Sequence, residues 1–223
     1  QSRAMVFRTR DLFVRQRTQT INALRAHLAE HGLIAPQGMS NLANIRRLID
    51  EAAAEVEPLV VETAHTYLEQ IDDLSSRILK LEATLKQEAA RTDASSRMMT
   101  MPGIGPITAM AIEAFAPSLS VFKRSRDFAA WLGLVPRQHS TGGKQILGRT
   151  SKMGQRDIRR LLIIGAMSVI RWATRKGTTP GSWLHSILQR KPRKVAAIAL
   201  ANKMARTLWA METQKEDYRV PRL

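Results

Sequence analysis

Residues 60–85, VVETAHTYLEQIDDLSSRILKLEATL, decide the fold of this chain. Within them Val60, Ala64, Tyr67, Ile71, Leu74, Ile78, Leu81 and Leu85 stand alternately four and three apart, which is the spacing of a heptad seam. That period lines one side of a long helix with apolar side chains. The neighbouring positions are polar, with Glu62, Glu69, Asp72, Asp73, Arg77, Lys80, Glu82 and Lys86 suited to solvated flanks. The spacing predicts a coiled-coil helix over 56–92 that joins copies of the chain, as dimer or tetramer, through residues 60–85. An antiparallel hairpin with the helix at 5–31 or 41–54 of the same chain would bury the same stripe.

Working outward, Leu12, Val14, Ile21, Leu24 and Leu28 form a helical stripe over 5–31, with Gly32 placed as its C-cap. Ser40 is an N-cap candidate for a helix over 41–54 carrying Leu42, Ile45, Leu48 and Ile49. Thr92-Asp93-Ala94-Ser95-Ser96 is small and polar and reads as a junction to a second domain over 98–223. There, helices are predicted over Phe122–Leu134, Asp157–Arg175, Trp183–Leu188 and Val195–Thr213. The helix from Asp157 is read with Ile158, Leu161, Leu162, Ile164 and Trp172 as its apolar face. Alanines 196, 197, 199, 201, 205 and 210 imply close helix packing, and the tail after Lys215 is predicted to fray. No long alternating strand pattern occurs. The predicted class is all-α: a long coiled-coil helix, then a compact helical domain.

The charge is unevenly distributed. Of a net +16 over 223 residues, residues 1–97 balance 13 Lys/Arg against 13 Asp/Glu, whereas residues 98–223 carry 22 against 6. A basic half of this kind suits a polyanion, since neutralising phosphates releases condensed counterions. A hydrophobic fraction of 44% is ample for a buried core. The absence of cysteine excludes disulfides and thiolate metal sites. The histidines show no zinc spacing, and no apolar run approaches the roughly 18 residues of a membrane span. With no signal peptide visible, a soluble, intracellular protein of the bacterial cytoplasm, near the nucleoid, is expected. Gln1-Ser2-Arg3 opens in what reads as the middle of a helix, so the chain is expected to be a piece of a longer protein.

Two segments carry candidate chemistry. Met101-Pro102-Gly103-Ile104-Gly105-Pro106 leads into an apolar helix in the manner of a helix-hairpin-helix motif, whose glycines permit a tight turn and leave backbone N–H groups to meet phosphate. A plain turn between packed helices would use the same residues. Farther on, Gln138-His139-Ser140-Thr141-Gly142-Gly143-Lys144 and Gly148-Arg149-Thr150-Ser151-Lys152-Met153-Gly154 combine hydroxyls, glycines and cations. A serine attacking a phosphodiester needs those types: glycine admits the backbone to the phosphate and cations stabilise the developing charge. A basic loop that only grips DNA would look alike. Arg156, Arg159 and Arg160 oppose the dipole at a helix start, which is where a negative ligand would fit.

These segments, with Trp131-Leu132-Gly133-Leu134-Val135-Pro136-Arg137 and Asp157-Ile158-Arg159-Arg160-Leu161-Leu162, resemble the C-terminal domain of the DEDD-type insertion-sequence transposases, the bridge-RNA-guided recombinases. Arg10-Asp11-Leu12, Arg15-Gln16-Arg17 and Ile21-Asn22-Ala23-Leu24-Arg25 resemble the family's segment after its N-terminal RuvC-like domain, making residues 1–55 the helices that follow that domain. The resemblance implies DNA strand exchange by a serine nucleophile, with DNA and a guide RNA as partners in a homo-oligomer and no membrane. The matching position for the nucleophile is Ser140. Many relatives carry serine directly before the glycine, where Thr141 stands, and Ser151 is a third position. Gly103, Gly105, Arg137, Lys144, Arg149, Lys152, Arg156, Arg159 and Arg160 would contact nucleic acid, and His139 is either a proton shuttle or a plain loop residue. The family's metal-binding acids belong to the RuvC-like domain, so Mg2+ is expected there and no metal or other cofactor in this chain. A non-catalytic DNA-binding and oligomerisation protein is the alternative from another class, and a Holliday-junction nuclease completed by the acidic domain a further one.

Overall fold

The computed structural model describes residues 2–219. The chain divides into two compact units, one over residues 4–84 and a second beginning at Leu85. The division falls inside a single helix, α3 (Pro58–Ala90).

The first unit is built from α1 (Ser2–Glu30), α2 (Leu42–Ala52) and the first part of α3. Ile21, Leu24 and Leu28 of α1, Ile45 and Ile49 of α2, and Ala64, Leu68 and Ile71 of α3 share one core. Burying each of the larger aliphatic side chains contributes about 1.5–3 kcal/mol. Arg10 pairs with Glu82, and Arg17 Nη1 donates to Ser75 Oγ at 3.2 Å, so α1 runs antiparallel to α3. Arg46 of α2 reaches Asp72 at 2.6 Å. The heptad seam therefore closes within the chain: Ala64, Ile71, Leu74 and Ile78 are already buried in one copy. Within one copy the antiparallel hairpin covers much of the stripe.

Between α1 and α2, Gly32 has φ +78° and the Leu33 N–H donates to Leu28 O at 2.9 Å, a glycine C-cap that satisfies a terminal carbonyl. Arg25 fixes the connection by donating from Nε and Nη2 to Ala35 O, at 3.1 and 2.8 Å. Ser40 does not cap α2. It lies inside a 3-10 turn over Met39–Asn41, and Asn41 Nδ2 donates back to Gln37 O at 2.7 Å.

In the second unit, α4 (Asp93–Met99) starts where a linker was predicted, because the Thr92 hydroxyl accepts from the Ser95 N–H and so caps it. α6 (Ser125–Trp131), α7 (Arg156–Lys176), α8 (Trp183–Arg190) and α4 pack on α9 (Arg193–Gln214), and α5 (Pro106–Phe115) packs on α4 and α7. The alanine pattern is realised in the packing: Ala196, Ala197, Ala201 and Ala205 have no exposed surface, nor does Ala166 of α7. Small residues let helix backbones approach. One close approach is between the turn before α5 and α7, where a Cβ built on Gly165 would lie 2.0 Å from Gly103 O. Trp209 of α9 is part of this framework, donating from Nε1 to Phe122 O at 3.0 Å. Arg97 and Glu212, both largely buried, join α4 to α9 at 3.1 Å.

The described residues are mostly helical, and the segment read from sequence as a hydroxyl-rich loop carries a small sheet. β1 (Pro136–Gln138) and β2 (Leu147–Thr150) pair antiparallel between α6 and α7.

Candidate nucleic-acid interface

The hairpin presents the candidate serine. At its tip Thr141 and Lys144 bridge, exchanging N–H···O bonds of 3.3 and 3.1 Å around Gly142 and Gly143. Those glycines have φ of +55° and +76°. Two consecutive residues at positive φ make the kind of turn whose twist matches that of paired strands, and Gly-Gly supplies it without steric cost. Below the tip, the His139 N–H donates to Ile146 O at 2.8 Å, and Ser140 Oγ accepts from the Ile146 N–H at 3.3 Å. Ser140, Thr141 and Lys144 are thus brought together on an exposed turn. Across the strands the His139 ring rests on Gly148, where a built Cβ would come 2.8 Å from Cδ2 and 2.9 Å from Nε2. Any side chain at 148 would displace the imidazole.

The base of the hairpin is held more tightly. The Ser151 N–H donates to Val135 O at 2.8 Å, and Arg137 Nη2 reaches Ser151 O at 3.4 Å. The next turn is clamped against the end of α6: a Cβ on Gly133 would lie 1.9 Å from Met153 O, and one on Gly154 would lie 1.8 Å from Trp131 O. Lys152, inside this turn, adopts φ +56°, a strained state for a residue with a Cβ. Arg159 completes the clamp, donating from Nη1 to Leu132 O at 2.9 Å and Met153 O at 3.1 Å. Burial, and then the charge of Arg156, hold the Arg159 pKa below its ordinary value. Its guanidinium is occupied with backbone carbonyls, so Arg159 positions the hairpin base.

Arg137, Lys144, Arg149, Lys152, Arg156 and Arg160 are exposed, and no acidic residue occurs between Asp127 and Asp157. Asp157 lies in the first turn of α7, where its charge suits the dipole, and its N–H is capped by Gln155 Oε1 at 3.2 Å. Of the two hairpin-turn glycines, Gly103 faces inward, its built Cβ 2.9 Å from Gly165 O and from Val169 Cγ2. Gly105, by contrast, opens onto free space at the start of α5. Among the described residues no group of three or more His, Asp or Glu side chains could hold a metal ion. Nor, among those residues, is any helix long and apolar enough to cross a membrane.

Two features escaped the sequence reading. Ile164 and Trp172, taken as core residues of α7, are 56% and 62% exposed. Lys176 Nζ stands 4.8 Å from the Trp172 ring centroid, and Lys203 Nζ stands 4.9 Å from that of Trp183. The i, i+4 spacing of Trp172 and Lys176 was the available signal for the first pair.

Residues 95–179, the segment holding both the glycine turn and the hairpin, match the family model of the transposases of the IS116/IS110/IS902 family. The similarity to named proteins runs further along the chain. It is 41% identical over 215 residues to a protein of Pseudomonas aeruginosa named a probable family 20 transposase, covering 95% of this chain and 63% of that one. It is also 33% identical to the transposase for insertion sequence element IS1111A of Coxiella burnetii and 34% identical to the transposase for insertion sequence element IS1328 of Yersinia enterocolitica. Each of these alignments takes in 96% of this chain, with 59% and 64% of the relative. The chain therefore spans about three fifths of the length of these relatives.

Proposed function

We propose that this chain is the strand-exchange portion of an insertion-sequence transposase, with Ser140 as the nucleophile toward DNA. One observation carries the reading: an exposed hairpin sets a serine beside a Gly-Gly turn, among cations without a neighbouring acid in sequence, inside the segment that matches the transposase model. In the proposed step Ser140 Oγ bonds to the phosphorus of a phosphodiester and the bond to one sugar oxygen breaks. The serine proton passes to a base, for which His139 is the adjacent candidate, and the leaving sugar oxygen is protonated. The new phosphoserine conserves the phosphodiester for rejoining. Lys144, Arg149 and Lys152 would stabilise charge on the phosphoryl oxygens, each removal costing ~3 kcal/mol of barrier.

DNA and a guide RNA are the proposed partners of the whole protein, acting in the cytoplasm at the nucleoid; base pairing would then select the target. Thr141 and Ser151 are the other candidate nucleophiles. Thr141 shares the tip, whereas the backbone N–H and carbonyl of Ser151 are both held at the hairpin base.

A second reading rests on the bond from the Ile146 N–H to Ser140 Oγ, which suits a serine that merely stiffens a DNA-gripping hairpin. Recombination of donor and target plasmids by the full-length protein with its element's RNA separates the two, with covalent protein–DNA adducts trapped in parallel. Ser140→Ala should abolish both adduct and recombination while DNA affinity stays within about twofold. Recombination that survives Ser140→Ala and Thr141→Ala would remove the chemistry from this tip.

A further inference from the structure

We propose that the outer face of α7 is a platform for an unpaired nucleic-acid strand, with Trp172 as its base-stacking residue. At 100° per residue, Arg156, Arg160, Ile164, Ser168, Arg171 and Arg175 fall along one side of the helix, with Trp172 at its margin. All seven are exposed, opposite the buried Ile158, Leu162, Ala166 and Ile170. The stripe is about 28 Å long at 1.5 Å per residue.

Its composition identifies the partner. No Asp or Glu occurs between Asp157 and Glu212. Two copies of the face would therefore set arginine against arginine, which rules against self-association through it. Arginines alone would serve a duplex backbone, but a mostly exposed indole and isoleucine gain nothing from phosphates. Bases in a duplex are stacked on one another; an unpaired strand offers free π-faces that an exposed tryptophan can cover. Lys176 stands over the Trp172 ring, where it can meet the phosphate of a stacked nucleotide. The same pairing recurs at Trp183 and Lys203 on α8 and α9. Stacking on an indole and charge neutralisation by arginine are available to deoxy and ribo strands, so the platform takes both.

The test uses the 223-residue chain and an oligothymidine of about 12 nucleotides, within the range of single-strand sites. Oligouridine and a duplex of equal length are run beside it. Trp172→Ala should weaken binding of both single strands about tenfold, leave the duplex within about twofold, and keep the salt slope. Trp172→Phe, which retains a ring, should restore most of the affinity. Tryptophan fluorescence should be quenched on binding in the wild-type chain and much less in Trp172→Phe. Arg171→Gln with Arg175→Gln should instead lower the salt slope on the single strands by about 1.4. Since Trp172 is exposed, helicity by circular dichroism should not change in any variant. Equal losses for single strand and duplex in Trp172→Ala, or no loss, would overturn the platform. The platform is judged by single-strand binding of the Trp172 variants and the strand-exchange reading by adduct formation and recombination, so the two fail separately.

Discussion

Gly133 and Gly154 carry a constraint that Gly142 does not, although all three have positive φ. At 133 and 154 a methyl group would overlap a backbone carbonyl at under 2 Å, and neither Trp131 O nor Met153 O can move without opening the clamp at the hairpin base. At 142 nothing lies within 4 Å, and only the conformational cost remains. Gly154→Ala should therefore destabilise the chain by about 3 kcal/mol, combining overpacking with left-handed backbone, whereas Gly142→Ala should cost only ~1 kcal/mol. Thermal denaturation of the two variants checks the difference; equal losses would mean the clamp gives way easily. Arg159 belongs to the same clamp. Arg159→Gln should lower the melting temperature while changing DNA affinity little, and Lys144→Gln should do the reverse, as paired melting and binding curves would show.

Among the elements, α3 is the one whose sequence pattern was clearest and which left two partners open, a second copy or a helix of the same chain. The stripe from Ala64 to Ile78 establishes a helix and its buried side, but an apolar stripe does not say whether the covering helix comes from the same chain. The deciding contacts, Arg10 with Glu82 and Arg17 with Ser75, join residues far apart in sequence and have no local signature. Because α1 and α2 supply the cover, Ile71→Ala, at a site with no exposed surface, should cost about 2–5 kcal/mol. The unfolding midpoint should also stay constant over a hundredfold range of protein concentration. A midpoint that rises with concentration would mean that α3 is shared between copies. Most helices were legible because caps and alanine spacing are local, as at Gly32 and along α9. The hairpin was not. Its strands are three and four residues long and largely exposed, so no alternation marks them, and only Gly142-Gly143 hinted at a two-residue turn. Ile164 and Trp172 were misplaced because residue type outweighed helical angle: both lie away from the side that carries Leu162 and Ala166.

Across the whole molecule, charge separates the roles of the two halves more sharply than fold does. Residues 1–97 are neutral in sum and spend many cations on nearby acids, as Arg77 does on Asp73 and Arg47 on Glu51. Residues 98–223 hold 22 cations against 6 acids, and the hairpin and α7 display many of them. Binding that depends on counterion release should therefore be governed by the second half alone. If six to ten phosphates are neutralised, duplex affinity should fall about 10³–10⁵-fold between 50 and 200 mM salt. Each exposed hairpin cation that contacts phosphate contributes about 0.9 to the log–log slope, so Lys144→Gln with Arg149→Gln should reduce it by about two. Arg47→Gln removes a charge of the same sign from the first unit, and distance-independent net charge would give it half that effect. A contact-based interface gives it none. Salt titrations of these two variants beside the wild type thus decide whether the hairpin meets the DNA backbone or the chain only attracts it through overall charge.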